Sequence, residues 1–157
     1  VDEIAYRTIW LSSEDPDDTV AIIDQRWLPH QFVVERIKTY EEMATAIKDM
    51  HVRGAGLIGA AAGYGMFLAA RQALLACRAA ESSEANNAHE TFQAFVHAAA
   101  SRLVATRPTA VNLEHAVNRQ KKAMEAAGNE LHSKVEAAKK MALTIADEDV
   151  DFCKRLG

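Results

Sequence analysis

Cysteine and proline are both scarce in this sequence. The 157 residues include two cysteines and three prolines. Cys77 and Cys153 lie far apart and form no CxxC pair, which excludes a disulfide scaffold and a cysteine-rich zinc site. Isolated cysteines of this kind suit a reducing compartment, so the expected location is the cytoplasm.

An excess of positive charge is also missing. The chain has 18 Lys and Arg residues and 22 Asp and Glu residues, which gives a formal net charge of −4. Proteins that bind duplex nucleic acid present a basic surface, so no nucleic-acid partner is expected. The longest apolar-rich stretch, residues 55–75, is interrupted by glycine and polar positions, and residues 1–3 (VDE) lack the basic start of a signal peptide. We therefore expect neither a membrane partner nor a leader.

Short runs of β-branched residues dominate the first part of the chain. Residues 9–11, 20–24 and 32–37 have the composition of strands and are separated by turn-forming segments. Pro29 has no N–H group for a strand ladder, which restricts it to a connection between strands. The pattern predicts a small antiparallel β meander within residues 1–38.

Helical periodicity begins after Thr39 and continues to the end of the chain. Thr39 and Glu42 form a capping box, and the 30 alanines favour helix. Glycine and proline punctuate this part, and a polar stretch without a period separates two of its segments. The predicted helices cover approximately residues 40–52, 57–80, 89–105, 110–127 and 130–156, with an interruption at 147–149 that can divide the last one. Residues 39–157 are thus expected to form a bundle of five or six helices, and residues 1–157 a single, mainly helical α+β domain.

A glycine-rich segment follows the first predicted helix. Four glycines fall within residues 54–63, and Arg53 stands directly before the start of the next helix. A helix start offers backbone N–H groups without helical acceptors and the positive end of the helix dipole. Together with a guanidinium, these groups form a site suited to a phosphate or a carboxylate. Arg53 is therefore a candidate anion-binding residue.

A second arginine has the same position relative to a helix. Arg107 precedes Pro108 and Thr109, which are typical of a first helical turn and of a helix cap. Asn112 is close enough in sequence to orient the Arg107 side chain. Arg53 and Arg107, each at a helix start, can therefore clamp one phosphorylated ligand.

Other interpretations of these residues remain open. Arg53 can instead cap the preceding helix or pair with Asp49, and glycine-rich helices also pack closely without binding a ligand. His51 is a candidate catalytic residue, although a histidine near a helix end is more often a capping or packing residue. The other five histidines show no metal-ligand spacing, and the acidic residues within 147–151 are typical of a solvated helix face or a helix start. No metal site is therefore expected, and both cysteines are expected to be small buried residues.

Three segments occur in an order and at separations that resemble one family. They are residues 23–29 (IDQRWLP), 47–55 (IKDMHVRGA) and 107–113 (RPTAVNL). Together they resemble the N-terminal part of methylthioribose-1-phosphate isomerase. That family is related to ribose-1,5-bisphosphate isomerase and to the regulatory subunits of initiation factor two-B. The resemblance covers essentially the whole chain.

The resemblance implies an aldose–ketose isomerase of methionine salvage, which converts 5-methylthioribose 1-phosphate into 5-methylthioribulose 1-phosphate. It implies that Arg53, Gly54, Ala55 and Arg107 contact the phosphorylated sugar. It also implies acid–base chemistry or hydride shift in a water-shielded pocket without a metal or cofactor, and a homodimer. The alternatives are an isomerase of another sugar phosphate, such as ribose 1,5-bisphosphate, and a regulatory or assembly module.

Two departures from the family pattern shape these expectations. Gly56 and Leu57 replace a Pro-Ala pair at the start of the second helix, which is compatible with a sister subfamily that acts on another sugar phosphate. Family members are much longer, and their Rossmann-like C-terminal domain, with its catalytic Cys and Asp, is absent from these 157 residues. Neither Cys77 nor Cys153 has the sequence context of that cysteine. We therefore expect no catalytic residue in this chain, negligible turnover by the chain alone, and an apolar surface that would meet the missing α/β domain.

Overall fold

The structure begins with a small antiparallel sheet. It is a computed structural model that describes residues 8–12, 19–24, 26, 30–31, 33–52, 54–79 and 85–156. The strands, in sheet order, are β1 (Ile9–Leu11), β2 (Val20–Ile23) and β3 (Val34–Ile37). Ile9 pairs with Ile22, and Val20 pairs with Ile37, so that β2 lies in the centre with all its residues buried. The predicted meander is confirmed.

Five helices follow the sheet in the part of the chain that the structure describes. They are α1 (Tyr40–Lys48), α2 (Ala55–Ala79), α3 (Ala85–Thr106), α4 (Val111–Ala126) and α5 (Leu131–Leu156). α2 packs against the four other helices and also meets β1. Small residues allow this close approach: at Gly65, a Cβ would lie 3.2 Å from both methyl carbons of Leu103. The fold is therefore α+β and mainly helical, as predicted, and none of the described helices is long and apolar enough to cross a bilayer.

The start of α1 confirms the capping box. The Thr39 hydroxyl oxygen accepts a hydrogen bond from the Glu42 amide at 3.1 Å. The Glu42 carboxylate in turn accepts bonds from the Lys38 amide and the Thr39 hydroxyl, both at 3.3 Å. These bonds satisfy N–H groups at the helix start that have no acceptor within the helix.

The end of α1 lies before the predicted end at Val52. The helix stops in a Schellman motif, in which the His51 amide donates to the Ala46 carbonyl at 2.8 Å. The Met50 amide donates to the Ile47 carbonyl at 3.3 Å. Met50 has a φ of 64° and occupies the left-handed position that glycine usually takes in this motif. The sequence therefore contained no glycine signal for this helix end.

Four other features of the helices also differ from the predictions. α2 begins at Ala55, two residues before its predicted start. α3 begins at Ala85 rather than near His89, so part of the predicted loop is helical. Ala110, without a side-chain hydrogen bond, takes the cap position of α4 that was predicted for Thr109. α5 continues through residues 147–149 as one helix. α3 and α5 both pack against α2, and such tertiary packing stabilises helices whose local sequence is unfavourable.

Candidate functional site

Of the residues that the family resemblance implicates, Gly54 and Ala55 lie at the start of α2. Arg107 directly follows the end of α3, four residues before α4 begins, and is not at the helix start that the sequence predicted for it. Arg53 falls outside the described residues, and Gly54 and Ala55 are exposed where α2 begins. Gly54 has a φ of 97°, which favours glycine, and its carbonyl accepts a bond from the Ile58 amide at 2.9 Å. The first N–H groups of α2 have no acceptor within the helix and can therefore donate hydrogen bonds to an anion.

Arg107 joins the connection between α3 and α4 to the end of α1. Its Nε donates to the Ile47 carbonyl at 3.2 Å, and its own carbonyl accepts from the Ala110 amide at 3.0 Å. Asn112, which was predicted to orient Arg107, contacts α2 instead. A Cβ at Gly59 would lie 3.3 Å from the Asn112 carbonyl oxygen. The starts of α2 and α4 are therefore neighbours, and Arg107 lies beside the end of α1.

A polar network ties residues 49–52 and 54, here named the α1–α2 turn, to the sheet. The His51 imidazole is buried, and its Nδ1 lies 2.6 Å from Glu35 Oε2 and 3.9 Å from Asp24 Oδ2. Glu35 belongs to β3, and Asp24 directly follows β2. A side chain of the turn thus binds Glu35 at the edge of the sheet and lies near Asp24, which follows the central strand.

Arg26 binds both carboxylate oxygens of Asp24. Its Nε lies 3.0 Å from Oδ1, its Nη2 lies 2.7 Å from Oδ2, and its amide donates to Oδ1 at 3.0 Å. The hydrogen bonds from Arg26 lower the pKa of Asp24, and the Asp24 carboxylate raises the pKa of Arg26. Asp24, Glu35 and His51 offer ligand atoms within 4.8 Å of one another, which suits a cation. However, the guanidinium already neutralises Asp24, so the geometry favours an ion-pair network over a metal site.

Sequence reasoning assigned no role to Asp24, Arg26 or Glu35. Asp24 and Arg26 lie two residues apart at the end of a strand, and this spacing could have indicated an ion pair. Glu35 offered no such signal, because its bond to His51 crosses from β3 to the α1–α2 turn. That contact exists only in the folded molecule.

One acidic residue of α5 lies neither on a solvated face nor at the start of a helix, the two positions predicted for this acidic run. Asp149 is half-buried against the first turn of α2, where a Cβ at Gly56 would overlap its carboxylate. Burial raises the pKa of the Asp149 carboxyl. Its neighbour Glu148 is exposed and forms a two-bond ion pair with Arg119 at 2.7 and 2.9 Å. The Asp149 carboxyl therefore borders the start of α2.

Cys77 is a buried residue of α2, as expected. Its Sγ donates to the Ala88 carbonyl at 3.3 Å, and burial raises the pKa of its thiol. A raised pKa keeps the thiol protonated and unreactive, which agrees with a packing role. The side chain of Cys153 lies outside the described residues.

The fold and the site together define a class of α+β domain. In this class, a short antiparallel sheet leads into a helical bundle, and the starts of two helices are neighbours. A family model described as the Initiation factor 2 subunit family matches residues 52–155. This match covers more than half of the chain, so the chain belongs to that family.

Curated relatives in several organisms share one name. A methylthioribose-1-phosphate isomerase of Rhodospirillum centenum is 41% identical over 157 residues, which are 100% of this chain and 36% of that protein. The protein of the same name from Brucella anthropi is 38% identical over 157 residues, which are 37% of its length. The chain thus spans little more than a third of the length of the curated relatives it matches.

Two solved structures have the same fold over most of this chain. The 5-methylthioribose 1-phosphate isomerase from Pyrococcus horikoshii is 39% identical with a TM-score of 0.73, over 90% of this chain and 36% of that chain. The subunit delta of translation initiation factor eIF-2B from A. fulgidus is 33% identical with a TM-score of 0.71, over 92% of this chain and 37% of that chain. The predicted resemblance to this family is confirmed.

Proposed function

We propose that this chain is the N-terminal, substrate-binding part of a sugar-phosphate aldose–ketose isomerase. Its substrate in this proposal is 5-methylthioribose 1-phosphate, and the product is 5-methylthioribulose 1-phosphate. The names of the curated relatives support this reaction class. The two neighbouring helix starts support a phosphate ester as the ligand.

The observation that carries the proposal is the hydrogen bond from Arg107 to the Ile47 carbonyl. It joins the connection that leads into α4 to the end of α1, beside the α1–α2 turn. Gly54 and Ala55 follow at the start of α2, and Arg53 directly precedes them in the sequence. In this proposal, the two arginines and the starts of α2 and α4 bind one ligand. Guanidinium groups and helix-start N–H groups both favour a doubly charged phosphate over a neutral sugar.

The proposed share of this chain in the reaction is binding and orientation. The isomerisation moves the hydrogen on C2 of the sugar to C1 and breaks the bond between C1 and the ring oxygen. The C2 hydroxyl loses its proton as C2 becomes a ketone, the ring oxygen gains a proton, and the phosphate stays on C1. Binding the phosphate fixes C1 and C2 relative to the groups that move the hydrogen. In this proposal those groups belong to the part of the relatives that the chain does not match. Arg53, Gly54, Ala55 and Arg107 bind the substrate, and no residue of this chain is assigned a catalytic role.

Exchange of segments in an active relative tests this proposal. This chain replaces the matching 36% of the Rhodospirillum centenum protein, and NMR follows loss of the C1 proton signal of the aldose. We expect turnover. Arg53→Ala or Arg107→Ala should lower kcat/KM about 10- to 100-fold, because a hydrogen bond to a charged group contributes about 1.5–3 kcal/mol. Arg78→Ala, at an exposed arginine near the end of α2, should leave kcat/KM unchanged.

A second exchange controls for damage at the junction. The corresponding segment of the Brucella anthropi protein is placed in the same position of the Rhodospirillum centenum protein. Turnover by that control together with none by the exchange with this chain would show that the isomerase proposal is wrong. Equal kcat/KM for the Arg78 and Arg107 variants would remove Arg107 from the proposed binding site.

The similarity to the A. fulgidus initiation-factor subunit favours a second candidate, a regulatory or assembly module. This candidate predicts a stable complex with another subunit in a pull-down and no isomerisation after segment exchange. Ribose 1,5-bisphosphate, offered as substrate in the same assay, distinguishes an isomerase of a different sugar phosphate. Cytoplasmic location and homodimer formation belong to the first proposal.

A further inference from the structure

The His51 side chain connects the α1–α2 turn to the sheet through one short hydrogen bond. Its Nδ1 lies 2.6 Å from Oε2 of Glu35 on β3. His51 is 7% exposed, and the Glu35 side chain is 33% exposed, so the bond is partly buried. A hydrogen bond to a carboxylate in such surroundings is stronger than one between neutral groups in solvent.

The neighbouring charges determine which ring nitrogen of His51 carries a hydrogen. A carboxylate accepts hydrogen bonds, so Nδ1–H is the donor to Glu35. Asp24 Oδ2 lies 3.9 Å from the same nitrogen, and Arg26 Nη2 lies 2.7 Å from that same oxygen. Rotation of the imidazole would break the bond and leave Glu35 without this donor. The network therefore keeps the ring in one orientation.

The α1–α2 turn depends on such an anchor. Met50 has a φ of 64°, in which a residue with a side chain is strained, and both Met50 and Gly54 are exposed. Val52 is fully buried and holds the turn by apolar packing, which has no directional preference. A strained segment keeps one conformation only where its surroundings determine it. Backbone hydrogen bonds hold the turn to the end of α1, and the His51 side chain supplies its directional contact to the sheet.

We propose that His51 is a positioning residue for the anion site at the start of α2. Its bond to Glu35 fixes the α1–α2 turn against the sheet and thereby sets the place of Gly54 and of the first N–H groups of α2. The imidazole acts through the backbone and touches no ligand. This inference rests on the proposed function, because it concerns the same site.

Three variants of the 157-residue chain test the role of His51. His51→Leu removes the donor, and His51→Asn keeps an N–H donor at the place of Nδ1. His97→Leu, at an exposed histidine of α3, is the matched control. Hydrogen–deuterium exchange of residues 49–54 in the free chain reports on the turn. Titration calorimetry with 5-methylthioribose 1-phosphate reports on the anion site.

We expect His51→Leu to raise the exchange rate of residues 49–54 about 10-fold. The same variant should weaken binding of 5-methylthioribose 1-phosphate about 10-fold. Loss of one hydrogen bond to a charged group corresponds to a factor of about this size. His51→Asn should stay within about threefold of the wild type in both measurements, because it retains that bond. His97→Leu should match the wild type. Exchange in α4 and α5 should not change in any variant.

The proposal is overturned by any of three results. These are unchanged exchange of residues 49–54 in His51→Leu, an equal rise of exchange in every helix, and His51→Asn behaving like His51→Leu. A wild-type chain that binds no 5-methylthioribose 1-phosphate would count against the proposed function instead. Exchange in the free chain would then still decide whether His51 positions the turn.

Discussion

Asp149 and Glu148 are adjacent in sequence and have opposite environments. Glu148 is exposed and paired with Arg119, which lowers the pKa of its carboxyl. Asp149 is half-buried against Gly56, and burial raises the pKa of its carboxyl. Successive side chains of a helix point about 100° apart, so one can face solvent while the next faces a neighbouring helix. The acidic run alone did not indicate which residue would face α2.

We expect Asp149→Asn to stabilise the protein at neutral pH. The folded-state pKa of Asp149 is raised, so the folded state binds this proton more tightly than the unfolded state does. The stabilising contribution of protonated Asp149 is complete below the ordinary pKa of 3.8 and is lost as pH rises through the folded pKa. Urea unfolding should therefore show a higher free energy of unfolding for the variant at pH 7, and this advantage should shrink toward pH 3.

Asp151→Asn is the control for this effect, because Asp151 is exposed on the same helix. Its free energy of unfolding should follow that of the wild type across the pH range. An Asp149→Asn protein that is less stable than the wild type at pH 7 would show that the ionised carboxylate contributes favourably at the start of α2.

At the scale of elements, the local sequence predicts the start of α1 correctly but not its end. The start depends on Thr39 and Glu42, which lie within one helical turn, and their pattern was sufficient to predict it. The end depends on a left-handed residue, and Met50 occupies a position where glycine would have been the signal. The predicted end of α1 was therefore wrong, because methionine is an unusual residue for the left-handed conformation that ends this helix.

Met50→Gly should raise the free energy of unfolding by about 1 kcal/mol. The left-handed conformation costs a non-glycine residue about 1–2 kcal/mol, and the larger unfolded-state entropy of glycine offsets part of the gain. Urea unfolding measures this difference. Thr45→Gly, at an exposed site inside α1, should have the opposite sign because glycine is a poor helix former. Destabilisation by Met50→Gly would mean that the half-exposed Met50 side chain contributes more by packing than its conformation costs.

At the scale of the whole molecule, Gln120 links three helices in the core. It is fully buried on α4, and its Nε2 donates to the Gly63 carbonyl of α2 at 2.8 Å and to the Ala138 carbonyl of α5 at 2.9 Å. Its Oε1 is buried and has no hydrogen-bond partner among the described residues. A buried acceptor without a donor costs free energy, so the net contribution of this side chain is smaller than its two bonds suggest.

We expect Gln120→Met to lower the free energy of unfolding by about 1 kcal/mol, since two lost bonds of about 1 kcal/mol each are partly offset by removal of the unpaired oxygen.

Gln120→Glu should lower the free energy of unfolding by at least about 3 kcal/mol at pH 7, because it places an unpaired carboxylate beside two carbonyl oxygens. Its deficit should decrease at acid pH as the carboxyl is protonated. Gln93→Glu, at an exposed site of α3, is the control. Equal stability of the Met and Glu variants would contradict the burial of this amide.

Local sequence alone was sufficient to predict the β meander, the helical bundle, the cap of α1 and the family. Strand runs, helical periods and short motifs depend on residues that are close in the chain. Arg53, Gly54, Ala55 and Arg107 as a ligand site stay a prediction. Only tertiary structure decided that Arg107 binds a carbonyl 60 residues away and that His51 binds a carboxylate 16 residues away. It also decided that Asp149 meets Gly56. Such contacts depend on how helices and sheet pack together, and no pattern within one segment contains that information.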